Sequence, residues 1–272
     1  QNLPEPNRSP PEIDRAQTAP VAAGSTLDLS GNTNGITINK TNSSGAGTGM
    51  GYETILEMVL NATPTVADAA ATSATTRHIT LTSGTLKISG TATWATQGPN
   101  VSGLSVPANA GLWLNNSNVT IHGGNYSISY DGYMRFSAGN YNVGTSSGNA
   151  LTIQNSSGAN LPQFIIDGGT VDIAGRFEWN QTGPICLFAM SSGTLNVATI
   201  GSASSNPTMR LNNGNDANRL ELTGGQINIV RQTTGVSWAC DYDLRGAGTI
   251  VQFGSSASPS AQAFTMAAAA TT

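Results

Sequence analysis

A ten-residue pattern recurs along the chain: apolar, polar, apolar, two small residues, Gly, a short polar residue, then apolar, polar, apolar. It reads ITLTSGTLKI at Ile79 to Ile88, VTIHGGNYSI at Val119 to Ile128 and MRFSAGNYNV at Met134 to Val143. It returns as FIIDGGTVDI from Phe164, FAMSSGTLNV from Phe188 and LELTGGQINI from Leu220. YDLRGAGTIVQF from Tyr242 fits with one residue inserted before Gly248. Repetition of this kind governs the reading of everything else.

The two halves of the pattern have opposite parity. Alternate side chains of a straight strand face opposite ways, so both apolar pairs share one core only if the chain is re-aimed between them. The glycines at that point, Gly84, Gly124, Gly139, Gly169, Gly193 and Gly225, tolerate the positive φ of a corner. A tight antiparallel hairpin, as in a β-sandwich, satisfies the same parity. Ser83, Ala138 and Ser192 before the glycine suit a type II bend better than the primed turns of hairpins. The pattern therefore predicts an all-β fold, a right-handed parallel β-helix (a β-solenoid) with irregular coils. Thr85, Asn125, Asn140, Thr170, Thr194 and Gln226 after the glycines would then stack in register.

LWLNNSN from Leu112, LTIQNSS from Leu151 and MRLNNGN from Met209 predict a third strand per coil, ending in an Asn-rich corner. Successive corner glycines lie as little as 15 residues apart (124 to 139) and as much as 40 (84 to 124). Such spacing fits coils with loops of unequal length.

Residues 1–24 are Pro-rich and aperiodic and read as an extended arm or linker. Residues 25–76 are expected to form an N-terminal cap and a degenerate first coil, with Leu27, Leu29, Ile36 and Ile38 inward. Within them GYETILEMVLNATP is the one segment with helical spacing, a short capping helix closed by Pro64; a buried strand fits it nearly as well. The solenoid spans 77–254, and 255–272 form a tail without coil pattern, leading to further sequence.

Composition sharpens this. Charged residues make up 10% of the 272-residue chain, against about 25% in an average globular protein. Gly, Ser, Thr and Asn replace them, which favours short strands and many turns. A net charge of −4 without a Lys/Arg cluster gives no nucleic-acid footprint. Apolar runs fall far short of a membrane helix. The low-charge surface points to an extracellular protein.

Candidate chemistry is sparse. Asp241 and Asp243 project from the same face of one strand and would suit Ca²⁺ or sugar chemistry. A solvated outer face accounts for them more simply. His78 and His122 lack the spaced partners of a metal site or a triad, and no other cofactor is implied. GAGTGMG (45–51) lacks the Lys of a phosphate-binding loop. Trp94, Trp113 and Trp179 lie on or beside strands; Trp113 and Trp179 are candidates for stacking on sugar rings. Cys186 and Cys240 fall about two coils apart, too far for a disulfide.

The copies FIIDGGTVDIAG, LFAMSSGTLNVATIG and LELTGGQINIVR resemble the Gly-Gly-Thr-Leu-Asn-Ile repeats of very large Bacteroidetes cell-surface proteins. Those are exported by the type IX secretion system and include gliding-motility adhesins. The resemblance covers about residues 77–253. It implies a non-catalytic extracellular stalk or adhesive surface on a bacterium, with glycans or surfaces and the export machinery as partners. The competing expectation is a β-helical polysaccharide-degrading enzyme or a phage tailspike-like carbohydrate-binding protein. Against a charged catalytic groove, the outward residues of the second half-strands are mostly neutral: Lys87, Ser127, Asn142, Asp172, Asn196 and Asn228.

Overall fold

The computed structural model describes residues 17–21, 36–39, 55–60, 79–94, 104–154, 162–179, 186–202, 208–212, 219–231, 236–239, 241–244, 250–255, 258–259 and 264–267. Four strands open the fold: β1 (Gln17–Val21), β2 (Ile36–Asn39), β3 (Ile55–Leu60) and β4 (Ile79–Gly90). Short and long strands then alternate. They are β5 (Ser105–Val106), β6 (Ala110–His122), β7 (Ile128–Tyr130), β8 (Tyr133–Val143), β9 (Leu151–Ile153) and β10 (Gln163–Ile173). β11 (Phe177–Trp179), β12 (Leu187–Val197) and β13 (Met209–Asn212) continue the series. Beyond them the long strand is split into β14 (Arg219–Leu222) and β15 (Gln226–Ile229), and the short strand β16 (Val236–Ala239) follows. The last are β17 (Asp241–Leu244), β18 (Ile250–Ser255), β19 (Ser258–Pro259) and β20 (Phe264–Ala267).

Among the described residues, the long strands stack into a 13-stranded sheet and the short ones into a 7-stranded sheet. Neighbouring strands in both are parallel, for example β8 with β10, β10 with β12, and β9 with β11. The short β18–β19 pair is antiparallel. This is a β-solenoid, and the hairpin alternative is excluded.

Alternation and the corner together bury the core. Leu112, Met134, Phe164, Phe188 and Leu220 stand in register on the first half-strands, and all are fully buried. Ile121, Tyr141, Val171, Leu195 and Ile227 do the same on the second halves. Phe164 is the hub, with ring centroids 5.7 Å from Phe136, 5.3 Å from Phe177 and 5.5 Å from Phe188. Removing such a ring typically costs about 3–5 kcal/mol.

All six repeat glycines have positive φ, from 61° at Gly124 to 91° at Gly139. Gly169 shows why: its φ is +64°, and a Cβ there would lie 2.6 Å from the Gly139 carbonyl oxygen of the coil beneath. Conformation and space both demand glycine.

Three expectations are corrected. The segment around Ile55 is not a capping helix but strand β3, paired in parallel with β1 and β4. Its apolar residues fill one in-register ladder, and pairing on both sides overrides a weak helical spacing. Leu112–Leu114 is not a third strand. It is the first half of β6, and VTIH (119–122) is its second half, so a copy that starts at Val119 is framed one half-strand late. Its corner holds Asn116 in place of Gly. The buried Asn116 amide donates to the Ser89 and Ala92 carbonyls (3.2 and 3.0 Å), while its Oδ1 accepts from the Asn118 N–H at 2.9 Å. Gly124 accordingly turns the chain from the long sheet into the short one. Finally, the tail contributes a strand, β20, in register with β16. The GAGTGMG run lies outside the described residues, as does most of the N-terminal arm.

Candidate functional site: the outer rows of the solenoid

Each half-strand places one row of side chains on the outside. The first-half row runs Glu57, Lys87, Trp113, Arg135, Ile165, Ala189 and Glu221 in register, and Asp243 continues it in backbone register. Lys87, expected in the second-half row, enters this one because residues 84–88 of β4 pair with 110–114 of β6. Lys87 Nζ lies 4.4 Å from the Trp113 ring centroid and the Arg135 guanidinium carbon 4.5 Å from it. These cations come from the strands on either side of Trp113, so they cover opposite faces of the indole.

The rest of the cluster is tied together. Trp113 Nε1 donates to Ser137 Oγ at 2.9 Å, and Ser137 donates to Asp167 Oδ1 at 2.6 Å. Arg135 pairs with Asp167 through Nε at 2.9 Å and also through Nη2. Lys87 pairs with Glu57 at 2.9 Å. A sugar ring stacking on Trp113 must first displace a cation, so this predicted platform is already occupied. Trp179 is fully buried, and Trp94 is buried too. Neither presents a face to solvent. Trp179 belongs to the short sheet, where three consecutive residues of β11 are covered.

Asp241 and Asp243 are opposite Arg219 and Glu221 in backbone register, and their side chains lie outside the described residues. Among the described residues no group of three or more His, Cys, Asp or Glu side chains gathers as metal ligands. No helix there is long and apolar enough to cross a membrane. Cys186 is a buried thiol that is not in a disulfide; burial first, and the negative charge of Asp131 second, push it up to about 12. Cys240 lies outside the described residues.

The second-half row is different. His122, Asn142, Asp172, Asn196, Asn228 and Gln252 stand in register on consecutive strands. Part of it is a hydrogen-bonded relay with one direction. Gln226 donates to Asn228 Oδ1 (2.9 Å), Asn228 to Asn196 Oδ1 (2.7 Å) and Asn196 to Asp172 Oδ1 (2.6 Å). The relay ends on that carboxylate. The side chains of Asn142 and His122, next in line, have no hydrogen-bonding partner among the described residues, and neither does Asp172 Oδ2. Half-burial holds His122 below its ordinary 6.5, so its imidazole is neutral at neutral pH.

These three side chains open onto one surface groove, whose other walls are Thr145, Thr199 and Ile200. Its floor at Gly123 and Gly124 is bare backbone, pinned where the Gly123 N–H donates to the Asn142 carbonyl at 2.7 Å. Ile200 is 49% exposed, the large hydrophobic residue that stands out on the described surface. It gets there through Ala198, a non-glycine residue held at φ 56°. The Ala198, Thr199 and Ile200 N–H groups donate to Gly175, Ile173 and Ala174 carbonyls at 2.9–3.1 Å, which fixes the turn.

The sequence named Asn142 and Asp172 as outward, weighed His122 as an exposed residue without metal or triad partners and did not assign it to this row, and passed over Ile200. His122 joins the row once the frame of its copy is corrected. Ile200 carries no signal, because it follows the repeat and owes its exposure to an unusual turn.

A parallel solenoid with polar rows in register along its flank, and a groove of uncommitted hydrogen-bonding groups, is a scaffold for holding extended polar ligands. The family model of carbohydrate-binding domain-containing proteins matches residues 20–257, and the chain belongs to that family. No curated protein and no solved structure matches the chain.

Proposed function

We propose that the chain is a non-catalytic glycan-binding segment of an extracellular surface-attachment protein. Its binding site is the groove lined by His122, Asn142 and Asp172. One observation carries this: three adjacent polar side chains line one groove, with Asp172 oriented at Oδ1 by the relay and Asn142 and His122 unengaged beside it among the described residues. An amide offers donors and acceptors together, and a carboxylate offers acceptors, the complement of vicinal sugar hydroxyls.

The ion pairs support binding over cleavage. Glycoside hydrolysis needs an acid and a base set across one bond. Glu57 is tied to Lys87, Asp167 to Arg135, and the buried Glu178 to both Arg176 and Arg210. Asp172 is left as the one carboxylate lining the groove. A stiff stacked body with a sugar-binding flank suits a stalk or adhesin on a bacterial surface. The repeat style supports the type IX-exported, gliding-adhesin kind.

The test is a glycan-array screen followed by titration of the best binder. Asn142→Ala should weaken binding about tenfold, the loss of one or two hydrogen bonds to a ligand, with an unchanged circular dichroism spectrum. Unchanged affinity would remove the groove as the site. Turnover of the bound glycan that Asp172→Asn abolishes would make the segment an enzyme.

A further inference from the structure

The groove has a chemical asymmetry that bears on which sugar it accepts. One wall is the Asp172 carboxylate, held at Oδ1 by a neutral amide, with Asn142 and Asn196 as its in-register neighbours. No cation among the described residues pairs with it, although Arg135, Arg176, Arg210 and Arg219 all have carboxylate partners elsewhere. His122 is neutral at neutral pH because burial disfavours its charged form. The field inside the groove is therefore negative and uncompensated, and a carboxylate-bearing ligand meets repulsion there.

The other wall is Ile200. The Ala198 turn takes a left-handed conformation that costs a residue with a Cβ about 1–3 kcal/mol, and its effect is to stand Ile200 at the groove rim. A branched aliphatic side chain offers no π face for a whole sugar ring. It offers apolar surface the size of a methyl group or two, at a position where water would otherwise cover it.

We propose that the groove selects pyranosides bearing a methyl group, from a deoxyhexose or an N-acetyl substituent, and rejects uronates. This rests on the groove being the glycan site. The methyl packs on Ile200 while ring hydroxyls bond to Asn142 and Asp172; the carboxylate that anchors neutral sugars is what turns acidic ones away. Ile200 and Asp172 are then the two specificity-determining residues.

The experiment is calorimetric titration of the chain with four oligosaccharides: deoxyhexose, N-acetylhexosamine, unsubstituted hexose and uronate. The expected order places either or both methyl-bearing probes about tenfold ahead of the plain hexose, the low end for one apolar contact. The two methyl-bearing arms show which substituent fits. Ile200→Ser should erase that advantage, so that methyl-bearing and plain-hexose probes bind this variant alike. Asp172→Asn should bring uronate binding up by roughly fivefold or more at low salt, with less gain at high salt. Equal wild-type affinity for hexose and both methyl-bearing sugars overturns the Ile200 assignment. Persistent uronate exclusion in Asp172→Asn overturns the Asp172 assignment. Either result leaves the groove intact as a site if Asn142→Ala still weakens binding about tenfold. If Asn142→Ala changes nothing, or no probe binds, the glycan site itself is refuted and the specificity goes with it.

Discussion

The Asn196 amide donates a 2.6 Å hydrogen bond to Oδ1 of Asp172, one strand away in the same sheet. Register alone brings the two side chains together, and the bond orients the carboxylate without neutralising it. Replacing Asn196 by Ala leaves Asp172 able to turn and should weaken glycan binding two- to fivefold, at about the energy of one neutral–charged bond partly recovered by water. Asn196→Asp does something else. It sets two carboxylates directly opposite each other and removes the donor, so stability should drop by about 1 kcal/mol. Urea denaturation of both variants reads the repulsion, which equal midpoints would refute; unchanged glycan affinity in Asn196→Ala would mean the ladder does not order Asp172.

The corner column makes a sharper demand. Gly169→Ala combines a positive φ with a Cβ placed 2.6 Å from the Gly139 oxygen, and backbone cannot yield as a flexible side chain would. A loss of at least about 2 kcal/mol is expected, read as a fall in Tm. Gly148 is the control: the nearest atom to a Cβ there is Ser146 Oγ at 3.9 Å. Gly148→Ala should be close to neutral.

These glycines were legible because a corner imposes the same need in every coil. Repetition turns a single ambiguous Gly into a pattern, and the parity switch across it says that the chain bends there. The frame of the second copy was not legible. Val119 and Ile121 satisfy the pattern as a first half-strand, and only pairing with Asn140 and Tyr141 makes them a second half. Local alternation defines a strand and leaves its partner open. The segment around Ile55 illustrates the same limit, since its helical spacing is overruled by strands 17–21 and 79–90 on either side of it. At the site, the polar row was written in the repeat, while the exposure of Ile200 comes from one residue's φ.

Trp113 is expected to stabilise the fold and not to bind sugar. Trp113→Ala removes two cation–ring contacts of about 0.5–1 kcal/mol each and leaves Ser137 without its indole donor. A loss of about 1–2 kcal/mol should follow, with glycan affinity unchanged when measured well below the new Tm. Loss of binding in this variant would return the site to the first-half row.

Two tyrosines buried in the core, Tyr130 and Tyr141, have hydroxyls with no partner among the described residues. Desolvation pushes both phenols up, so they stay neutral throughout the range in which the protein is handled. An unsatisfied buried hydroxyl costs about 1–3 kcal/mol. Tyr141→Phe keeps the ring stacked 5.1 Å from Phe136 and removes the cost, so this variant should melt at or above the wild-type temperature. A clear drop would show that the hydroxyl is bonded in solution.

Acid should act on the solenoid in two separable windows. His122 is held below its ordinary 6.5 by burial, so on acidification the unfolded chain takes up its proton first. Stability then falls as pH drops through about 6.5 and levels off below the folded value. Glu57 belongs to a lower window: burial raises it, but the Ser89 hydrogen bond and Lys87 outweigh that and hold it below 4.5. Its contribution is complete above 4.5 and lost only as pH falls through the lower folded value. Urea midpoints at neutral pH and in the window just below the ordinary histidine value should therefore differ in the wild type. His122→Asn should reduce that difference, while Glu57→Gln should leave it in place and flatten the more acidic limb. Protonated His122 also faces the same groove as Asp172, so exclusion of uronates should relax in the wild type as pH falls through the lowered folded value of the imidazole, and not in His122→Asn. If both proteins exclude uronates equally at every pH, the imidazole does not share a field with the groove.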